Sequence, residues 1–310
     1  MDQPTSHNSY HQPVMLDETL GWLEPASEGW IVDGTFGGGG HSHAILRRFP
    51  LAHVVGIDRD PDALAQAGAD ERLTVVEGNY RHLDRILDGG RFPAQVQGVL
   101  LDLGVSSHQL DEAGRGFSYH SAGPVDMRMG RDADRTAAEL IADSDVAELT
   151  RILSRYGDER FARRIATAIV DEQPFASTAE LADCVARAVP AAARRGKHPA
   201  RKTFQALRIA VNDELAGVSE AVEIGIERLA PGGRFIVIAY HSLEDRIVKQ
   251  AFKKHARACE CPPDLPICAC GADPDVIPLT RKAQKPSAQE IETNPRARSA
   301  VMRVVEKRAS

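Results

Sequence analysis

The stretch DGTFGGGGHSHAIL, Asp33 to Leu46, sets four consecutive glycines between a strand-like run and a segment of helical periodicity. Strand, glycine-rich turn and helix together bring backbone N–H groups and a helix N-terminus against a ligand, because only glycine lets another molecule approach the backbone so closely. A nucleotide-like ligand is indicated. The dinucleotide fingerprint would need a third glycine where Ser42 or His43 stands, according to register. Two ligands therefore compete: a dinucleotide with its pyrophosphate, and S-adenosylmethionine, which has an adenosine but no phosphate. Asp33 favours the second. A carboxylate at the strand end repels pyrophosphate, yet attracts the ammonium and sulfonium charges of S-adenosylmethionine by on the order of a few kcal/mol at short range.

Outward from this loop, strand-like runs recur as WIVD (30–33), HVVGID (53–58), LTVVEG (73–78) and VQGVLLDLG (96–104), with helical segments HSHAILRRF and PDALAQAGA between them. Such alternation predicts a parallel sheet wound by helices. Asp58, at the tip of the second strand, is placed to accept from ribose hydroxyls under either ligand reading. Tyr80 follows the third strand, where its ring either covers an adenine or joins the core. Asp102 ends the fourth strand, at the sheet edge that holds the site in doubly wound folds; its alternative is a turn-forming aspartate. Gln109 can reach back over the same pocket.

After Gly104 the pattern turns helical for about a hundred residues. TAAELIADSD and STAELADCVARAVP open with capping-box spacings, Thr136 to Glu139 and Ser177 to Glu180, and Gly157 can close a helix that follows Ser144. The sheet resumes with GGRFIVIAYHS (232–242), the helix LEDRIVKQAFKKHA and a last strand in SAVMRVVEKR. The expected organisation is an α/β doubly wound sheet from residues 1–112 and 214–310, interrupted by a helical insertion at 113–213.

The 310 residues, 43% hydrophobic and 26% charged, suffice for a substantial core. No apolar run approaches the roughly 20 residues that cross a bilayer, and MDQPTSHNSYHQPV has no leader-like pattern. A cytoplasmic protein with no membrane partner is expected. The net charge of −6 argues only weakly against a nucleic-acid partner, because the cations are unevenly spread. Between Arg187 and Arg208 lie Arg194, Arg195, Lys197, Arg201 and Lys202 with no acidic residue among them, a set suited to phosphate or else a solvated face. A second basic set, Arg281, Lys282, Lys285, Arg296 and Arg298, precedes the final strand. CECPPDLPICACG places Cys259, Cys261, Cys268 and Cys270 as two close pairs. They can form a thiolate zinc site, stay as reduced thiols, or form a disulfide outside the cell.

The blocks HQPVMLDETLGWL, DGTFGGGGHS, GIDRDPDAL, LLDLGVSSHQLDEAGRGFSYHSAGPVDMRM, YGDERFARRIA, HPARKTFQALRIAVNDEL, APGGRFIVIAYHSLEDRIVK and NPRARSA together resemble the bacterial methyltransferases that modify N4 of a cytidine in small-subunit ribosomal RNA. The resemblance runs from about His11 to Glu306. It implies a class I methyltransferase fold with an inserted helical domain, S-adenosylmethionine as cofactor, and a target cytidine of 16S RNA near the decoding centre, presented as RNA, as a subunit or as an assembly intermediate. By matching blocks it places Gly39, Gly40, His41, Asp58, Tyr80, Asp102 and Gln109 at the cofactor. The chemistry asks for acceptors that hold the poorly nucleophilic N4 amine in line with a methyl group. Amino-methyltransferases acting on DNA often use an Asp-Pro-Pro-Tyr turn after the fourth strand. Here the turn is Asp-Leu-Gly-Val, so Asp102 can be the acceptor while the aromatic partner is missing. Tyr240 and His241, ending the fifth strand, can cover the base or relay a proton; His241 can equally be bound within its own turn. Three classes stay distinguishable: an RNA methyltransferase, an NAD enzyme and a noncatalytic RNA-binding module.

Overall fold

The structure, a computed structural model, describes residues 13–106, 109, 111–194, 196, 198–257 and 273–309. The four clustered cysteines, Arg195 and Lys197 lie outside the described residues. The chain divides into two compact units, Met1–Gly104 with Gly217–Ser310, and Val105–Ala216. Among the described residues no helix is long and apolar enough to cross a membrane.

The first unit is a seven-stranded sheet of order β3-β2-β1-β4-β5-β7-β6, made of β1 (Trp30–Asp33), β2 (His53–Asp58), β3 (Leu73–Glu77), β4 (Val96–Asp102), β5 (Leu229–Ala239), β6 (Val276–Pro278) and β7 (Val301–Lys307). The first five strands run parallel; β7 lies antiparallel to both β5 and β6. Alternate side chains feed two apolar layers. Val32, Leu101, Phe235 and Val237 pack on one face with Val222 and Val248, while Ile31, Leu100, Ile236 and Ile238 pack on the other with Leu23 and Ile45. This period-two burial on both faces is what a sheet wound on both sides requires. The helices of this unit are α1 (Leu16–Leu23), α2 (Gly40–Arg48), α3 (Pro61–Leu64), α4 (Leu83–Asp88), α11 (Ser242–His255) and α12 (Ala288–Thr293).

The second unit is helical: α5 (Ala137–Asp143), α6 (Val146–Gly157), α7 (Ala162–Glu172), α8 (Thr178–Ala188) and α9 (Arg201–Asn212), with α10 (Glu214–Arg228) beginning there and continuing into the first unit. Thr136 and Glu139 form the expected capping box. Ser177 caps α8 by accepting from the Glu180 N–H. Helix α6 follows Ser144 and ends at Gly157, with Asp145 as its cap accepting from the Glu148 N–H; Asp158, with φ 48°, follows Gly157 in the left-handed region. A buried Asn212 ties this unit's core together, donating to Met127 O at 2.7 Å and accepting from Met129 N at 2.8 Å.

Candidate functional site

The glycine loop leaves β1 and enters α2 through Gly37 and Gly39, whose φ angles of 53° and 73° favour glycine. A Cβ on Gly39 would lie 2.8 Å from both the Phe36 ring and His43, so a side chain here would force those rings to shift. On Gly37 a Cβ would meet only Thr35 O, at 3.8 Å: the loop there faces open space, the space that an approaching ligand needs.

Two carboxylates hold the loop. Asp33, buried at the end of β1, accepts from Ser42 Oγ at 2.7 Å and from Thr35 N at 3.2 Å. Burial holds its pKa above the usual carboxylate range, against the lowering effects of His41 and the two donors. The third glycine of a dinucleotide loop allows close helix–strand packing; Ser42 spans that gap with a hydrogen bond instead. Asp58, at the end of β2, accepts from Gly37 N at 2.7 Å and from Asp60 N at 2.9 Å. Burial pushes its pKa up to about 6. Two of its roughly four lone-pair sites are therefore taken by backbone. Tyr80 stands beside Gly34 and Gly217, where its Cβ lies 3.2 Å and its ring edge 3.6 Å from where their Cβ atoms would be.

At the ends of β4 and β5 a second cluster gathers. Tyr240 OH donates to Asp102 Oδ1 at 2.8 Å. The Asp102 backbone N–H is held by Thr35 Oγ1 at 2.6 Å, so the glycine loop and β4 are fixed to each other. His41 Nδ1 lies 3.8 Å from Asp102 Oδ2, while its Nε2 lies 3.1 Å from Val14 O. A carbonyl only accepts, so Nε2 carries a proton; the approach of Nδ1 to Asp102 is then favourable when a proton sits on one or the other. Burial raises the Asp102 pKa to about 6, opposed by His41 and the Tyr240 hydroxyl. Burial and Asp102 together raise the Tyr240 pKa well above the usual phenol value, so its hydroxyl stays a donor. Gly104, with φ 103°, turns the chain away directly beside the Tyr240 ring; a Cβ there would lie 3.4 Å from Cδ2.

His41 and Asp102 thus come together with Asp33, Gly39 and Gly40 around one loop. Gln109 belongs to the second unit, where its Oε1 accepts from Ser106 N at 3.1 Å. His241 is the N-cap of α11: its Nδ1 accepts from Glu244 N at 3.3 Å, and Glu244 Oε2 accepts from His241 N at 3.2 Å in return. Its Nε2 lies 3.1 Å from Glu244 Oε1 but is not aligned for a hydrogen bond. Thr35 is not singled out by the sequence, and Ser42 only as a departure from the third glycine, since a hydroxyl beside glycines reads as loop filler. The signal was their spacing from Asp33, two and nine residues on.

The cations of the helical unit are unequally committed. Arg194 donates from Nε to Val189 O at 2.8 Å and from Nη2 to Arg187 O at 3.2 Å, closing the end of α8. Lys202 donates to Asp158 O. Arg187 pairs with Glu172, and Arg208 with Glu214 through two contacts of 2.8 Å. Arg201 is exposed.

The model of the MraW methylase family matches residues 8–308. Ribosomal RNA small subunit methyltransferase H of Heliobacterium modesticaldum is 50% identical over 308 residues, covering 96% of this chain and 98% of that protein. Its namesake in Heliobacterium mobile is 48% identical, covering 96% and 99%. The namesake in Mycolicibacterium smegmatis is 47% identical over 314 residues, covering 96% and 84%. With an α/β sheet carrying a glycine loop and an Asp–Tyr pair at its strand ends, and with these matches along nearly its whole length, the chain belongs to the MraW methylase family and is a methyltransferase.

Proposed function

We propose that this methyltransferase moves the methyl group of S-adenosylmethionine to the N4 amine of a cytidine in small-subunit ribosomal RNA, near the decoding centre, in the cytoplasm. The observation that carries the reading is the Asp102–Tyr240 pair, 2.8 Å apart, at the ends of adjacent parallel strands beside the glycine loop. The residues present fit the cofactor: Gly37 leaves room against the loop, and Asp58 keeps lone pairs for a ribose. Tyr80 has a ring at the same strand edge for the adenine. When bound, S-adenosylmethionine supplies an electrophilic methyl carbon on a sulfonium.

Asp102 accepts a hydrogen bond from the N4 amine and orients its lone pair along the line of transfer. Transfer would exchange the methyl carbon's bond to sulfur for one to nitrogen, with S-adenosylhomocysteine as the leaving group, and the proton that the methylated amine must lose passes to Asp102 or to water. Tyr240 holds the carboxylate in place through Oδ1, leaving Oδ2 for the amine. Its ring, alongside the Gly104 turn, takes the place of the aromatic side chain in an Asp-Pro-Pro-Tyr turn. His41 faces Oδ2, its Nδ1 3.8 Å away. The helical unit supplies phosphate contacts; of its basic segment Arg201 and Arg194 are exposed, Arg194 with its guanidinium committed to the end of α8 and Lys202 half-buried against Asp158 O.

The test is transfer of labelled methyl to small subunits, free 16S RNA and assembly intermediates, each isolated from cells lacking the modification. Label at one cytidine N4 is the expected result, and the best of the three substrates identifies the physiological one. No label on any substrate, with NAD rather than S-adenosylhomocysteine bound in calorimetry, returns the glycine loop to the dinucleotide reading.

A further inference from the structure

Outside the sheet unit, four rings from distant parts of the helical unit converge. Phe204, on α9 and only 3% exposed, meets the edge of Tyr119 at a centroid distance of 5.7 Å and an interplanar angle of 81°. Tyr119 stacks on His198 at 4.8 Å and 19°, and His120 lies 4.4 Å from Tyr119 and 5.5 Å from His198. The cluster grades outward: Phe204 is core, Tyr119 and His198 are half-buried, and His120 is exposed. Tyr119 and His198 cover one face of each other, and the cluster reaches the surface through the exposed His120 and the accessible parts of these two rings.

Its orientation is held by backbone. His198 Nδ1 accepts from Ala200 N at 3.2 Å, which fixes the ring plane and leaves the proton of the neutral ring on Nε2. The His120 backbone N–H is held by Ser118 Oγ at 3.1 Å. Burial and the neighbouring His120 lower the His198 pKa, so at neutral pH this ring is an uncharged flat surface. Arg201 projects one turn before Phe204 on α9, on the same side of the helix, and is exposed. Asp183, close enough to act on His198, disfavours a phosphate over the rings themselves. A neutral π-face belongs over the rings and a phosphate beside Arg201: the repeat of a single-stranded nucleic acid.

We infer that Tyr119, His198 and His120 form a stacking platform on which an unpaired base of the ribosomal RNA substrate rests, while Arg201 holds an adjoining phosphate. The inference rests on the proposed RNA-methylating function and assigns a second RNA contact, within the helical unit. Base–aromatic stacking on such platforms is tolerant of base identity and strengthens binding by about tenfold per base. It releases few counterions, so it adds little to the salt dependence of binding, unlike a phosphate contact.

The experiment compares Tyr119→Leu, Tyr119→Phe and His120→Ala. A single-stranded oligoribonucleotide of the substrate region, carrying 2-aminopurine at successive positions, reads stacking by fluorescence quenching; undermethylated small subunits give KM and kcat. Tyr119→Phe should behave as wild type. Tyr119→Leu should lose the quench at one position and raise KM for subunits about tenfold with kcat unchanged, an unchanged salt slope and normal affinity for S-adenosylhomocysteine; His120→Ala should show a smaller loss of the same kind. Unaltered quench and KM in a folded Tyr119→Leu protein would overturn the platform. So would a raised KM without any RNA quench, which would make the rings a contact for ribosomal protein. If the wild type methylates no substrate, the proposed function fails, whereas the oligonucleotide quench still decides the platform.

Discussion

Replacing Tyr240 by phenylalanine removes one hydroxyl and leaves the ring beside Gly104. The lost bond is a phenol donating to a carboxylate at 2.8 Å, in surroundings that leave the Asp102 side chain 21% exposed. Hydrogen bonds to charged groups contribute about 1.5–3 kcal/mol, and the partial exposure argues for the lower end. One pKa unit corresponds to about 1.4 kcal/mol, so the Asp102 pKa should move up by about one unit from its position at about 6. If the amine acceptor is the ionised carboxylate, the wild-type rate should climb with pH through about 6, and the variant's through about 7. At about pH 6 the ionised fraction falls from about one half to about one tenth, a roughly fivefold slowing; at about pH 8 nearly all of that loss disappears. The assay is single-turnover methyl transfer to undermethylated small subunits across this range, with S-adenosylhomocysteine affinity checked at each pH. An acid limb that is absent in the wild type, or that stays in place in Tyr240→Phe, would refute the assignment of Asp102 as acceptor.

Asp102→Asn should abolish that limb and lower turnover by about a hundredfold or more, as loss of a preorganised electrostatic partner does. The same variant should be more stable than wild type at about pH 8. A raised folded pKa means the folded protein binds more protons than the unfolded chain between about 4 and 6, so this carboxylate costs stability above that window, on the order of 1–3 kcal/mol, and none below it; melting temperatures that differ equally at about pH 4 and pH 8 would contradict this. Asp58→Ala should weaken S-adenosylhomocysteine binding about ten- to a hundredfold in calorimetry, with native circular dichroism, because it loses both the ribose acceptor and the anchor of Gly37. Arg201→Gln should flatten the salt dependence of subunit binding by roughly 0.7 log units, whereas Arg194→Gln should chiefly lower the melting temperature, since its guanidinium closes the end of α8; equal slopes for wild type and Arg201→Gln would return Arg201 to a solvated face.

The sheet was legible because its strands obey local rules. WIVD, HVVGID and FIVIA are short apolar runs bounded by turn residues, and each alternates between two apolar layers in the structure. Strand β6 was not legible: three residues, VIP, carry no periodicity, and their pairing with β7 is set by tertiary position. The unit boundaries were read at 112 and 213, where helical pattern begins and ends. The compact units divide at 104 and 216, and at the first boundary Val105 packs against the helical core without being helical itself. Pattern reports secondary structure, whereas a domain is delimited by where its side chains are buried.

Within the site, sequence could nominate carboxylates but not say which were already committed. Asp33, Asp58 and Asp102 all end parallel strands, and from spacing alone each has equal title to a ligand. Their hydrogen bonds separate them. Asp33 is buried and accepts from Ser42 and Thr35, so its charge acts mainly on the loop. Asp58 divides its oxygens between the loop backbone and open lone pairs, as a ribose acceptor must. Asp102 accepts through Oδ1 from a phenol that stays protonated and turns Oδ2 toward an imidazole 3.8 Å away, too far for a hydrogen bond. Of the three, only Asp102 thus combines a raised pKa, a fixed orientation and an oxygen at which the structure shows no hydrogen bond, and these are the attributes that accepting a proton from a weakly nucleophilic amine requires.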